Sequence, residues 1–292
     1  METRNLSAFL RVAELGSFTA AANELGYSQG SITVQIQQLE DELGTKLFDR
    51  MGKLTTLTSD GQAFIPYARS ALQAIQEAEN FAQDPHEMRG VLRFSSSSSL
   101  ATNVLPGIIA DFNREYPHIQ IIMRLSDYME EMTSRMKQNE VDIVCHLDTR
   151  NFFTDAITFY EKKEPVVAVA NKDYPLIGKK RVKLRDLLYE PLLVTERAIG
   201  HTNYLEKVIN DMGEVLQPTI EVSSSVALRE ILINSNRSAS IMPYLVVKEA
   251  VEAGKLVLLD VDDLDIPMWS QFVYHKNKWV SPIMKAFIDF VS

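Results

Sequence analysis

FTAAANELGYSQGSITVQIQQLEDELGTKLFDR, residues 18–50, reads as two short helices about a tight turn, followed by a β-wing. Ser17 offers a hydroxyl to the free N–H groups that open the first helix. Its Ala20, Ala21 and Ala22 let a neighbour pack closely, and Gly26 ends it. Ser28 caps the second helix. There Ile32, Ile36, Leu39 and Leu43 fall on one face at helical spacing, while Gly30, Thr33, Val34, Gln37 and Gln38 fall on the other. That outer face has no charge, where an ordinary solvated face carries Lys and Glu. Gln and Thr side chains can hydrogen-bond base edges and Val34 can touch a thymine methyl, so the helix suits a DNA major groove. A three-helix interaction module with a polar face fits the same periodicity.

Charge gives no basic stripe. Residues 1–58 hold Arg4, Arg11, Lys46, Arg50 and Lys53 against Glu2, Glu14, Glu24, Glu40, Asp41, Glu42 and Asp49, five cations to seven acids. Arg50 and Lys53 flank Gly52 in the short hairpin, where they could grip phosphates, and the helix N-termini at Ser17 and Ser28 can offer N–H groups to the same backbone. So few cations predict weak DNA binding by one copy of the chain, which makes self-association part of any DNA-binding mechanism.

A device for self-association follows. Thr58 can cap a helix in which Phe64, Ala68, Ala71, Ile75, Ala78 and Ala82 alternate by four and three residues, a heptad seam on which Ala71, Ile75 and Ala78 are the expected dimer contacts. Pro66 is expected to kink the helix near its start. Asp84-Pro85 breaks it, which favours an exposed linker over the alternative, a core helix of the next domain.

From Gly90 onward the period changes. VLRFSSS (91–97), IQIIMRL (119–125) and DIVCHL (142–147) read as strands, separated by helix faces at Leu105, Ile108, Ile109, Phe112 and at Met129, Met132, Met136. A second series runs through VVAVA (166–170), PLLV (191–194), a helix from about Thr202, TIEV (219–222), a helix over 225–234 and ASIM (239–242). The chain closes with WSQFVYH (269–275) and a helix over Ile283, Phe287 and Ile288. This alternation predicts an α/β domain with a mostly parallel sheet.

Ser95 to Ser99 stand where the first strand meets the first helix, just before Thr102 and Asn103. Ligands of open α/β sheets lie beyond the carboxyl ends of strands, and the hydroxyls of Ser97, Ser98, Ser99 and Thr102 beside a helix N-terminus suit an anion such as a carboxylate. A flexible serine loop that binds nothing is the alternative.

The composition bounds the classes. Of 292 residues, 46% are hydrophobic and 24% charged, with a net charge of −9, which speaks against broad, unspecific adhesion to nucleic acid. No apolar run reaches ~18 residues and no charged-then-apolar leader opens the chain, so neither membrane nor export is expected and the protein belongs in the cytoplasm. The lone Cys145 excludes an internal disulfide and a two-cysteine thiol switch. Neither G-x-S-x-G, G-x-x-x-x-G-K-[ST], H-E-x-x-H nor C-x-x-C occurs, and the five histidines are scattered. No enzyme, catalytic residue, metal or bound cofactor is expected.

The segments AFLRVAELGSFTAAANELGYSQ (8–29), SITVQIQQLEDELGTKLFDR (31–50) and LTTLTSDGQAF (54–64) resemble the LysR-type transcriptional regulators, and the order of elements resembles that family over essentially the whole chain. The resemblance implies a winged helix-turn-helix at 1–58, a linker and dimerisation helix at 59–89, and an effector-binding domain at 90–292 similar to type II periplasmic solute-binding proteins. Its lobe I would be 90–163 with 267–292, and lobe II 164–266. It implies that Gln29, Thr33 and the wing Arg50 meet DNA, with Gly30, Val34, Gln37 and Lys53 on the same surface. It also brings TERAIGHTN (195–203) across the cleft from the serine run, so that Thr195, Arg197, His201 and Thr202 join Asn103 and the serines as effector contacts. Arg197 would attract an anion there, or else pair with Glu196 or Glu206, and His201 alone is as well read as a structural residue. The implied partners are double-stranded promoter DNA, a small-molecule effector, further copies of the chain in a dimer or tetramer, and RNA polymerase. The chain departs from the family pattern at Gly30, often Pro, and at Val34, often Arg or Lys. Asp127-Tyr128-Met129 replaces a small polar turn, and Tyr128 is expected to narrow the pocket.

Overall fold

The computed structural model describes residues 1–51, 54–79, 87–150, 153–197 and 199–292, of which residues 50, 51, 54, 76, 77 and 79 are described in backbone only. Three helices open the chain, α1 (Thr3–Leu15), α2 (Phe18–Leu25) and α3 (Gln29–Leu43), followed by an antiparallel hairpin of β1 (Phe48–Met51) and β2 (Leu54–Leu57). The caps stand where the sequence puts them. Ser17 Oγ accepts from the Ala20 N–H at 3.2 Å, and Ser28 Oγ from the Ser31 N–H at 3.1 Å. Gly26 ends α2 at φ 73°, a left-handed conformation that glycine adopts without a Cβ clash. Phe9, Val12, Ala21, Ile32, Ile36 and Leu39 form the dry centre, and Phe9 and Phe18 both meet Phe48 with ring centroids 5.6 Å apart.

One buried charge ties the second helix of the pair to the wing. Glu40, near the end of α3, accepts from the Leu47 N–H at 2.9 Å and from Lys46 Nζ at 2.6 Å. Burial pushes its carboxyl up, but the Lys46 ammonium and the Leu47 and Phe48 amides together hold it below the usual range.

Helix α4 (Ser59–Glu79) starts at Thr58, whose Oγ1 accepts from the Gly61 N–H at 2.9 Å. A Cβ on Gly61 would stand 2.1 Å from the Leu47 carbonyl oxygen, so glycine is what lets α4 approach the wing. The helix runs unbroken through Pro66. The expected seam is divided. Ala68 is fully buried, and with Ile65, Phe64, Ala71 and Leu72 it closes the three-helix core, so Ala71 packs within its own chain and not at an exposed seam. Ile75, 36% exposed, and Ala78 lie beyond that contact and are open. Ala82 and the Asp84-Pro85 break lie outside the described residues.

The remainder forms two five-stranded sheets. The first has order β4-β3-β5-β12-β6, from β3 (Gly90–Ser96), β4 (Ile119–Leu125), β5 (Ile143–Asp148), β6 (Ala156–Glu164) and β12 (Met268–His275). Its helices are α5 (Ser98–Asn103), α6 (Leu105–Glu115), α7 (Met129–Lys137) and the closing α12 (Pro282–Val291). The second has order β11-β7-β10-β8-β9, from β7 (Val166–Asn171), β8 (Leu192–Thr195), β9 (Ile220–Val222), β10 (Ala239–Pro243) and β11 (Leu256–Leu259). It carries α8 (Leu184–Leu187), α9 (Gly200–Asp211), α10 (Ser225–Asn234) and α11 (Tyr244–Glu252).

Each sheet is mixed, which corrects the expectation of mostly parallel sheets. β3 runs parallel to β4 and β5, whereas β12 is antiparallel to both β5 and β6; β10 is parallel to β8 and antiparallel to β7. The physical reason is the crossover. The chain leaves the first sheet by β6 and returns by β12, and strands reached by such long returns can pair in either sense.

Candidate functional site

Two surfaces carry chemistry. On the first, Gln29, Gly30, Val34, Gln37 and Gln38 are exposed along the outer face of α3, with Val34 54% exposed. Thr33 is half-buried, and its hydroxyl donates to the Gln29 carbonyl at 3.0 Å, which leaves the oxygen free to accept. The cations before the wing are spoken for: Arg4 pairs with Glu2, Arg11 with Glu14 and Glu24, and Lys46 with Glu40. Arg50 lies on β1 opposite Thr55, and Lys53 falls outside the described residues.

The second surface lies between the two sheets. Ser95 and Ser96 finish β3, Ser97 Oγ accepts from the Leu100 N–H at 3.4 Å, and Ser98 and Ser99 begin α5. The serine run is therefore a strand end, a cap and a helix start, and the flexible-loop alternative falls. A cavity of about 20 Å³ opens beside it, walled by Ser97, Ser99, Asp127, His146, Asp148 and His201, with Met129, Met132, Leu147, Ile199, Gly200 and Ser225 completing the lining. A larger cavity, about 430 Å³, lies instead where α1, α4 and the β3-β4 edge meet. Its Arg11, Arg69, Arg93 and Arg124 are engaged with Glu14, Glu140 and Asp142, so it is read as the joint between the N-terminal domain and the first sheet.

The expected effector residues divide. Ser97, Ser99 and His201 line the small cavity. Thr195 is buried behind it, its Oγ1 2.5 Å from Thr202 Oγ1 and 3.3 Å from His201 Nε2, so it positions the first turn of α9. That helix begins at Gly200, so His201 and Thr202 stand within it, not before it. The others are corrections. Thr102 is exposed on α5, because a six-residue helix turns that position outward. Asn103 donates to the Ser99 carbonyl at 2.8 Å within its own helix. Ser98 is occupied by Asp127, whose carboxylate accepts from its N–H at 2.8 Å and from its Oγ at 2.6 Å. Arg197 is 52% exposed and pairs with Glu206 at 3.0 Å, the alternative that the sequence left open.

Two polar groups in the wall, His146 and Asp148, escaped the sequence reading. His146 is 1% exposed and neither ring nitrogen has a hydrogen-bond partner among the described residues; burial holds its pKa at about 3, and that of His201 at about 4. Asp148, 7% exposed, accepts from the Thr149 N–H at 2.6 Å, and burial pushes its carboxyl up. A Cβ on Gly200 would stand 2.6 Å from an Asp148 oxygen, which sets that carboxylate against the start of α9 in the other sheet's layer. Asp127, by contrast, caps the start of α5 by accepting from both the N–H and the hydroxyl of Ser98. The signal was present in DIVCHLD: His146 and Asp148, two apart on a strand, share one face at its carboxyl end. Tyr128, outside the cavity's lining, donates to Glu196 at 2.6 Å, a bond between the two sheets' layers.

Comparison with known proteins places the chain in a wider set. The family model of the bacterial regulatory helix-turn-helix protein, lysR family, matches residues 3–62, and that of the LysR substrate binding domain matches residues 85–292. The HTH-type transcriptional regulator YwqM of Bacillus subtilis (strain 168) is 32% identical, with 99% of this chain and 98% of that protein covered. The RuBisCO operon transcriptional regulator of Allochromatium vinosum is 29% identical, over 99% of this chain and 94% of that protein. Among solved structures, a full-length OxyR variant from Pseudomonas aeruginosa superposes with a TM-score of 0.71 at 19% identity, covering 100% of this chain and 94% of that one. Full-length CbnR complexed with its target DNA superposes with a TM-score of 0.66 at 21% identity, covering 100% and 99%.

Proposed function

The chain belongs to the LysR family of transcriptional regulators, and on that premise we propose that it binds promoter DNA through α3 and the wing under the control of a small molecule held between the two sheets. The observation that carries the DNA half is the uncharged, exposed face of Gln29, Thr33, Val34, Gln37 and Gln38 on a helix locked to the wing by Glu40. With Arg4, Arg11 and Lys46 each paired to an acid, phosphate contacts fall to Arg50 and Lys53 and to the helix N-termini. One subunit then has little electrostatic grip, and two or four copies multiply it by effective concentration. The open residues Ile75 and Ala78 on α4 supply the seam, and the solved CbnR–DNA complex offers the template for that mode of engagement. Work on a promoter places the protein with the chromosome in the cytoplasm and beside RNA polymerase; no helix among the described residues is long and apolar enough to cross a membrane.

The regulatory half rests on the two-lobed topology. A ligand that binds one arrangement of the sheets better than another shifts the population toward it, and the linker helices transmit the shift to the spacing of the paired wings. The expected anionic effector finds no cation among the described residues of the cavity wall, which holds Asp127 and Asp148 instead. One solved OxyR, from Corynebacterium glutamicum, is described with hydrogen peroxide bound. Here Cys145 is fully buried in β5 and its thiol pKa is raised by burial, so thiol oxidation is no part of this reading. A mobility-shift assay on the DNA upstream of the protein's own gene tests the regulator reading: a discrete, competitor-resistant complex is expected, and its absence at micromolar protein counts against it.

A further inference from the structure

We propose that the ligand held between the two sheets is a small organic cation with N–H donors, an alkyl ammonium compound, with Asp148 as its counter-ion and His146 as a hydrogen-bond acceptor. The inference rests on the regulator reading above and names the chemical class that its cleft would take.

Four observations carry it. First, the helix start beside the serine run, that of α5, is already filled from within the chain by Asp127, and the Asp148 carboxylate lies against the first residue of α9. An added carboxylate would have to displace one of them and would then face the other. Second, the only cation that the sequence aimed at this cleft, Arg197, is turned outward to Glu206. Third, Asp148 is buried with the Thr149 N–H as its backbone donor and no cation within ion-pair distance among the described residues, a costly arrangement for a carboxylate unless a positive group completes it. Fourth, both nitrogens of His146 are buried in the same wall without a hydrogen-bond partner among the described residues, and a neutral imidazole there presents one acceptor and one donor.

Size and polarity agree with that choice. A cavity of about 20 Å³ admits one group the size of a water molecule or an ammonium head. Met129, Met132 and Ile199 offer the apolar wall that a short alkyl chain needs. Anything longer requires the layers to part at the Tyr128–Glu196 bond, which couples ligand size to the arrangement of the two sheets. No covalent step is involved; the ammonium keeps its proton.

Calorimetry and thermal melting of the full chain decide it, with ammonium, ethylammonium and butane-1,4-diammonium chlorides against sodium acetate, benzoate and succinate at matched ionic strength. At least one ammonium salt is expected to bind and raise the melting temperature, and none of the carboxylates. In Asp148→Asn the affinity for that salt is expected to fall tenfold or more. The unliganded variant is expected to melt at or above the wild type, since a desolvated charge has been removed. Carboxylate binding that survives in Asp148→Asn overturns the proposal, as does ammonium binding unchanged by that substitution. So does the absence of any ammonium effect; if Asp148→Asn then also melts well below the wild type, Asp148 is a clasp on α9. A mobility shift run in parallel separates the two levels of inference. Retained DNA binding with no ammonium effect removes only the cation, whereas loss of DNA binding removes the regulator reading.

Discussion

The outer face of α3 and the cavity between the sheets are both polar, yet they are built in opposite ways. On α3, one helix turns Ile32, Ile36 and Leu39 into a dry core and leaves Gln29, Val34, Gln37 and Gln38 in solvent, so structure and function occupy separate sides of one element. In the cavity most of the polar groups are themselves buried and come from the start of α5, the turn after β4, β5 and α9; Asp127 is tied to Ser98, while His146 has no hydrogen-bond partner among the described residues. A site on a face is free to change without unfolding the protein. A site in a cavity is part of the fold, and changes there are felt as stability.

The largest expected effect breaks the comparison within α3 itself. Ile36→Ala removes a fully buried side chain and is expected to cost about 2–5 kcal/mol of stability, while Val34→Ala, two residues away and exposed, is expected to stay within about 0.5 kcal/mol. Denaturant melts of the two variants check it. In the cleft a hydroxyl should matter as much as a side chain does elsewhere. Thr195→Val leaves His201 and Thr202 without a buried partner and is expected to cost about 1–3 kcal/mol.

The linker gives the next contrast, between its buried and open halves. Ile75→Asp puts a charge where a partner's apolar side chain is expected, and should weaken dimerisation at least tenfold, about 1.4 kcal/mol, by sedimentation equilibrium, with monomer stability unchanged.

Acid should separate the two regions as well. With the pKa of His146 at about 3 and of His201 at about 4 in the fold, against 6.5 in the unfolded chain, the unfolded state takes up these protons first. The stability they contribute is whole above pH 6.5 and is lost as the pH falls from there toward 4 and 3. Asp148 works the other way, since the penalty on its ionised form vanishes as the pH drops through its raised pKa. Melting curves from pH 7 to pH 4 should therefore show the effector domain losing stability, with a flatter profile in His201→Gln. The smallest effect is expected at Thr102→Val, within about 0.5 kcal/mol, because that side chain is exposed and outside the cavity.

Legibility in the sequence follows the same division. The caps at Ser17 and Ser28, the end of α2 at Gly26 and the buried face of α3 are local facts of spacing, and each stands where the residues put it. Most strands from VLRFSSS to WSQFVYH were legible for the same reason, but β6 and β11 were not read. What escaped was set by distant partners. No local pattern reveals that Ala68 and Ala71 pack on the three-helix core, that β12 returns antiparallel, or that Asp127 seals Ser98. Arg197 drew attention by its charge, while the buried Asp148, one residue past the expected end of its strand, did not.

The most direct test sets one region against the other on DNA. Footprinting on the promoter bound by the wild type is to be repeated with Gln29→Ala/Thr33→Ala and with Asp148→Asn. Loss of about 1–3 kcal/mol of discrimination between target and unrelated DNA is predicted for the α3 double variant, with its fold intact by circular dichroism, while Asp148→Asn without ligand keeps the wild-type footprint. An undiminished footprint from the double variant, or one lost only in Asp148→Asn, would contradict the account.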